Sequence, residues 1–187
     1  MNINAQVPLS NHRSDFVLDI ENIRQRARAE MDEGALTPTY GKDRDAAVRV
    51  LNQALATEIV CVLRYKRHAF MAQGPNSEPI AAEFHAHAGE EQAHADLIAE
   101  RIVQLGGEPD FSPEGLLDRS HSEYAPGKNL RDMIREDLVA ERIAIDTYRE
   151  MVRWFGDDDP TTRNMLVSIL AKEEEHANEL SDLLTKE

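Results

Sequence analysis

Four glutamates and two histidines are the residues of this sequence whose types and spacing could do chemistry together: Glu58, Glu91, Glu141, Glu173, His94 and His176. Two of the glutamates open a Glu-x-x-His pattern, Glu91-Gln92-Ala93-His94 and Glu173-Glu174-Glu175-His176. On a helix, positions i and i+3 leave the same face, so each pair would offer a carboxylate and an imidazole in one direction. Carboxylates neutralise and bridge hard divalent cations, and an imidazole adds a borderline nitrogen ligand. Six such groups meeting at one point would hold two cations. In that arrangement Glu91 and Glu173 bridge, Glu58 and Glu141 are terminal, and His94 and His176 each complete one cation.

The elements that must position them are four segments with apolar residues at 3/4 spacing, each bounded by stop signals. The first runs from about Asp43 to Gln73, with Leu51, Leu55, Glu58, Val62, Tyr65 and Ala69 in line. The second begins after Ser77, a suitable N-cap, and ends at Leu105 before Gly106-Gly107. The third spans about Gly127 to Phe155, and the fourth starts near Asp159-Pro160, with Pro well placed in a first turn. Each apolar stripe contains one glutamate close to the middle of its helix. Antiparallel helices bring their midpoints to one level, so all four carboxylates should converge inside an apolar core. Burying even one uncompensated charge there is very costly, and divalent cations would supply the compensation. One Glu from each of two helices plus Glu-x-x-His from the other two is the arrangement of di-iron and di-manganese carboxylate bundles.

Connection lengths set the expected topology. Helices one and two, and helices three and four, are joined by few residues and should be antiparallel pairs. About twenty residues rich in Pro, Gly, Ser and Asp, Gly107 to Pro126, separate the pairs, long enough to cross the length of a bundle. The fold class expected is therefore all-α, a four-helix bundle over 43–187 with one long crossover between helices two and three. Ahead of it, in residues 1–42, Phe16 to Met31 is mildly amphipathic (Val17, Ile20, Ile23, Ala27) and reads as a short helix, followed by a linker at 34–42.

Bulk properties agree. Aromatics are only 5% of the 187 residues, which favours helices over sheets. A net charge of -14 disfavours a nucleic-acid surface or an anionic membrane and suits attraction of cations. The sequence shows no run of eighteen or more apolar residues, and the start MNINAQVPLSNHR lacks the order of a signal peptide. With Cys61 alone, no internal disulfide is available, which fits a cytoplasmic protein.

Residues 44–185 resemble the ferritin-like superfamily. LNQALATEIVCVLRYKRHA, with its ligand Glu and a Tyr seven residues later, is similar to the corresponding bacterioferritin helix. GEEQAHADLIAERIVQLGG and ILAKEEEHANELSDLL resemble the second and fourth helices of both bacterioferritins and Dps-like (DPSL) ferritins, while AERIAIDTYREM and GDDDPTT look closer to the DPSL group. The resemblance implies a homo-oligomeric hollow shell. It also implies ferroxidase activity on Fe(II) with dioxygen or hydrogen peroxide, and a role in iron storage and oxidative-stress protection. Two iron ions per subunit would be held by the six residues above, with manganese or zinc able to take their place. Two departures stand out. Bacterioferritins bind haem between subunits through a Met after the second-helix ligand, where this chain has Gln92, so no haem is expected. DPSL proteins carry a cysteine pair beside the metals, and here the third-helix position is Ile143 with no second Cys.

Other residues carry weaker signals. Tyr65 lies two turns after Glu58 on the same face and could donate a hydrogen bond near the metals or supply an electron; plain packing is the alternative. His68 could guide incoming iron or be an ordinary polar histidine. His85 and His87, two apart on a helix, are read as surface residues, Cys61 as a small packed hydrophobe, and Trp154 as core or subunit interface. Of Glu173 to Glu175, only Glu173 faces inward by phase. The rival readings are a rubrerythrin-like peroxidase or manganese catalase without mineral storage, a DNA-protecting Dps protein, and a metal-free helical partner protein. A four-cysteine iron domain of the rubrerythrin kind is excluded by the single cysteine. Dps ligands normally come from two subunits, whereas here one chain offers all six.

Overall fold

The computed structural model describes residues 16–75 and 77–186. In chain order its helices are α1 (Ile20–Arg26), a 3-10 turn at Met31–Glu33, α2 (Arg44–Met71), α3 (Ser77–Gln104), α4 (Leu116–Arg119), α5 (Leu130–Phe155) and α6 (Pro160–Lys186). No strand occurs among the described residues. The four long helices form the expected bundle with one crossover.

Local chemistry fixes the helix ends. Asp43 accepts from the Ala46 amide at 2.8 Å, Asn129 from Asp132 at 2.9 Å and Asp159 from Thr162 at 2.9 Å, each satisfying an otherwise unbonded first-turn N–H. α3 ends in a Schellman turn: Gly107 N–H bonds to Ile102 O and Gly106 N–H to Val103 O, with Gly106 at φ +70°. The Arg44 guanidinium donates to the Gly106 carbonyl, and the positive φ there favours glycine. Three expected boundaries shift. α2 stops at Met71 rather than Gln73, α5 starts at Leu130 behind its Asn129 cap rather than at Gly127, and Ser77 is the first helical residue of α3 rather than its cap.

α2 packs antiparallel to both α3 and α5, and α6 antiparallel to α5 and α3, as cross-helix contacts such as Arg64–Asp137, His87–Glu179 and Arg149–Glu174 require. By length and composition alone, an 18-residue window of α2 is apolar enough to cross a membrane. Its apolarity has a different cause: 56% of that window is buried inside the bundle, because α2 is covered by α3, α5 and α4.

The crossover, residues 105–129, runs the length of α2 and is fastened to it by side chains. Asn52 bonds to Glu108 O and the Asp110 amide, Thr57 to the His121 amide, Arg64 to Ser122 and Glu123 O, and Arg67 to Pro126 O. His68, expected to be either an ordinary polar group or a guide for iron, belongs to this fastening. It is fully buried, with Nδ1 2.7 Å from Asp137 and Nε2 3.1 Å from Pro126 O. Asp137 also takes the Arg64 Nε–H at 2.8 Å, so the buried guanidinium keeps a counter-charge.

The N-terminal region differs from expectation in two ways. α1 covers only Ile20–Arg26, and its apolar side chains are exposed; a seven-residue helix without burial has little to extend it. Residues 34–42 are no free linker. Leu36 and Tyr40 pack on the core, Tyr40 donates to Asp159 at 2.9 Å, and Lys42 lies 2.9 Å from Asp158 and over the half-exposed Trp154 ring. The stretch MNINAQVPLSNHR lies outside the described residues.

Candidate metal centre

The apolar core is split in two. One cluster, with Leu51, Leu55, Ile98, Ile102, Phe155 and Leu166, fills the end near the start of α2; another, with Phe84, Ile134 and Leu180, fills the opposite end. Between them lies a polar layer containing Glu58, Glu91, His94, Glu141, Glu173 and His176, none more than 7% exposed. The sequence puts one glutamate at the middle of each apolar stripe, and antiparallel packing brings the four middles level.

The six side chains form two overlapping groups. Ligand atoms of Glu58, Glu91, His94 and Glu173 lie within 4.8 Å of one another, and so do those of Glu91, Glu141, Glu173 and His176. Glu91 and Glu173 are common to both. His94 Nδ1 is 2.9 Å from Glu173 and 3.3 Å from Glu91; His176 Nδ1 is 3.4 Å from Glu91 and 3.8 Å from Glu173. One oxygen each of Glu58, Glu91, Glu141 and Glu173, together with His176 Nδ1, is buried with no hydrogen-bond partner. Orphaned carboxylate oxygens converging beside two imidazoles fit a site built for cations.

The tyrosines are arranged reciprocally. Tyr65 on α2 donates to Glu141 on α5, and Tyr148 on α5 donates to Glu58 on α2. Each tyrosine follows its own helix's glutamate by seven residues, and the antiparallel pairing of α2 with α5 hands it to the other's.

Electrostatics divides the four carboxylates into pairs. Burial and the neighbouring Glu91 and Glu173 charges push Glu58 and Glu141 well above the usual carboxylate range. Glu91 is also buried, but the neighbouring His176 and His94 outweigh this and lower it, and Glu173 is lowered by the same two histidines against burial and the Glu91 charge. Burial alone would lower the histidines, yet the glutamates around them raise His94 to about 12 and His176 to about 10. Two divalent cations would balance the charge of four ionised carboxylates beside two neutral imidazoles.

Sequence reading missed two residues beside the centre. Glu90 accepts from His176 Nε2 at 2.5 Å, which orients the ring with Nδ1 inward. His87 is not a surface residue: it is 2% exposed and stacks on His176, centroids 4.1 Å apart, while His85 is exposed as expected. A helix shows only one of two residues two apart to its core, and the i, i+4 spacing of His87 to Glu91 was the signal that singled it out. Cys61 is buried, as expected.

Residues 48–187 match the Ferritin family, described as a ferritin-like domain. The chain is 29% identical over 138 residues to a bacterioferritin of Mycobacterium bovis, covering 73% of this chain and 82% of that one. It is 31% identical over 140 residues to a nutrient stress-induced DNA-binding protein of Nostoc sp., covering 73% and 76%. Among solved structures, the dodecameric thioferritin of Bacteroides fragilis superposes with a TM-score of 0.75 at 32% identity, over 78% of this chain and 88% of that one. Dps from Thermosynechococcus elongatus gives 0.72 at 21% identity, over 75% and 90%, a likeness of fold alone.

Proposed function

The chain belongs to the ferritin-like family, and from that premise we propose that it is a ferroxidase, oxidising Fe(II) to Fe(III) at an intrasubunit centre of two metal positions. The observation that carries the reading is the pair of overlapping ligand groups sharing Glu91 and Glu173, buried between two apolar clusters. Membership supports an iron-storage type of function, and the donor set supports the finer reading. In it Glu58, Glu91, Glu173 and His94 hold one Fe(II), and Glu91, Glu141, Glu173 and His176 hold the other. Carboxylate oxygens stabilise the higher charge of the ferric product better than sulfur or nitrogen alone would. Each Fe(II) gives one electron to dioxygen or hydrogen peroxide, and ferric product passes to a mineral in the interior of a homo-oligomeric shell. Manganese or zinc could occupy the same ligands. A cytoplasmic setting suits the lone buried thiol of Cys61. The charge of -14 gives DNA little to hold, although one relative is named for DNA binding.

The test is an anaerobic Fe(II) titration of metal-free protein, then air or peroxide, following ferric absorbance in the unaltered chain and in Glu91→Ala. Fast oxidation of about two Fe(II) per chain, lost in the variant, is expected because Glu91 belongs to both positions. Equal, slow oxidation by both proteins would overturn the reading.

A further inference from the structure

A second ligating cluster lies outside the six residues of the centre. Glu83 and His87 on α3 and Glu179 on α6 present ligand atoms within 4.8 Å of one another. His87 Nε2 is 2.9 Å from Glu179 and 3.6 Å from Glu83. The carboxylates are about two-fifths exposed while the imidazole is buried, so the cluster has a wet side and a dry side.

The dry side decides which His87 nitrogen is free. Tyr65 commits its hydroxyl hydrogen to Glu141, so its oxygen can only accept from His87 Nδ1, 3.2 Å away. With Nδ1 turned to Tyr65, Nε2 faces the two carboxylates. Two carboxylates and an imidazole nitrogen converging on one point form a donor set for a divalent cation.

We propose that Glu83, His87 and Glu179 form a third divalent-cation site, weaker than the centre, where a cation from solvent is staged before it passes His176 into the paired positions. The site stands on its own geometry; the staging role rests on the ferroxidase reading. Two carboxylates and one imidazole suit Fe(II), Mn(II) or Zn(II), and the exposed side leaves room for water ligands. Through His87, Tyr65 and Glu141 the site is hydrogen-bonded to the centre.

The test is a calorimetric titration of the metal-free full-length chain with Zn(II) at roughly 0.15 M salt, where diffuse attraction to exposed charge is screened. The unaltered chain is compared with Glu83→Gln/Glu179→Gln and with Glu91→Ala. Both glutamines replace part-exposed side chains, so folding is preserved. The double variant should bind one Zn(II) per chain fewer, losing the weakest step and keeping the tight ones. It should also raise the Fe(II) concentration needed for half-maximal oxidation severalfold while leaving the saturated rate unchanged. An unchanged Zn(II) count in the double variant overturns the site, whatever Glu91→Ala does. If the double variant loses its Zn(II) and Glu91→Ala loses none, the third site stands and the ferroxidase reading fails. A lost Zn(II) with unchanged Fe(II) dependence upholds the site and overturns staging.

Discussion

His176 Nε2 lies 2.5 Å from a carboxylate oxygen of Glu90, which points Nδ1 into the carboxylate layer. On the other half of the centre the matching position, one residue before Glu173, is Lys172, which bonds to Glu175 at 2.7 Å instead. The two metal positions of the proposed centre are therefore unequally supported. A carboxylate behind a ligating imidazole raises its basicity and locks its orientation. Glu90→Ala should lower affinity at the His176 position by about 10- to 100-fold and leave the His94 position nearly unchanged. Calorimetry with Zn(II) should then show two separated central steps; a uniform loss at both would contradict the assignment.

Metal binding should release protons. The raised values of Glu58, Glu141, His94 and His176 favour their protonated forms, and ligands bind metal only when deprotonated. A pH-stat titration of metal-free protein with Zn(II) should record acid release as the two central positions fill. Glu91→Ala should abolish most of it.

The same groups give the metal-free fold a definite pH dependence. A pKa raised on folding stabilises below the unfolded value and loses that contribution as pH climbs to the folded one. For His176 that window opens near 6.5 and closes near 10; His94 extends it to about 12, and Glu58 and Glu141 act with the same sign from lower pH. Metal-free protein should thus unfold at lower urea as pH rises from about 6 to 10. Zn(II)-loaded protein should gain relative to it over the same range. A rise in metal-free stability with pH over that range would contradict the raised histidines.

Tyr148→Phe removes the donor to Glu58 without changing packing volume much, and Tyr65→Phe does the same to Glu141. Hydrogen bonds to charged groups contribute roughly 1.5–3 kcal/mol. In the Zn(II)-loaded protein, where both glutamates are ionised, each variant should lower unfolding free energy by about that much. The reciprocal geometry predicts similar losses for the two.

Asp137→Ala strands Arg64, which is fully buried. Removing one partner of such a pair costs about 3–5 kcal/mol. Because Arg64 and His68 also hold the crossover, urea unfolding should show that loss, and limited proteolysis should cut residues 105–129 faster than in the unaltered chain.

Much of this was legible in the sequence because helical periodicity ties residue order to one face. Glu58, Glu91, Glu141 and Glu173 each replace an apolar residue in a stripe, and the three-residue offset to His94 and His176 survives any small error in helix ends. Polar residues off the stripes escaped that logic. Arg64 lies off the stripe of α2 and gains its role only when the crossover is laid over it, and Asp137 gains meaning only from facing Arg64 and His68 together. The 34–42 segment, with no periodicity of its own, docks through Tyr40 and Lys42 onto residues more than a hundred positions away.

The sequence by itself determined the four long helices, their pairing and the candidate ligand set, since these follow from local spacing, capping and connection length. Only the tertiary structure decided which carboxylate answers which partner. Tyr65 serves Glu141 rather than its own helix's Glu58, Glu90 serves His176, and of His85 and His87 only the second turns inward. Each of those choices depends on the rotation and stagger of one helix against another. Side-chain interdigitation across the whole bundle sets that stagger, and no single segment encodes it.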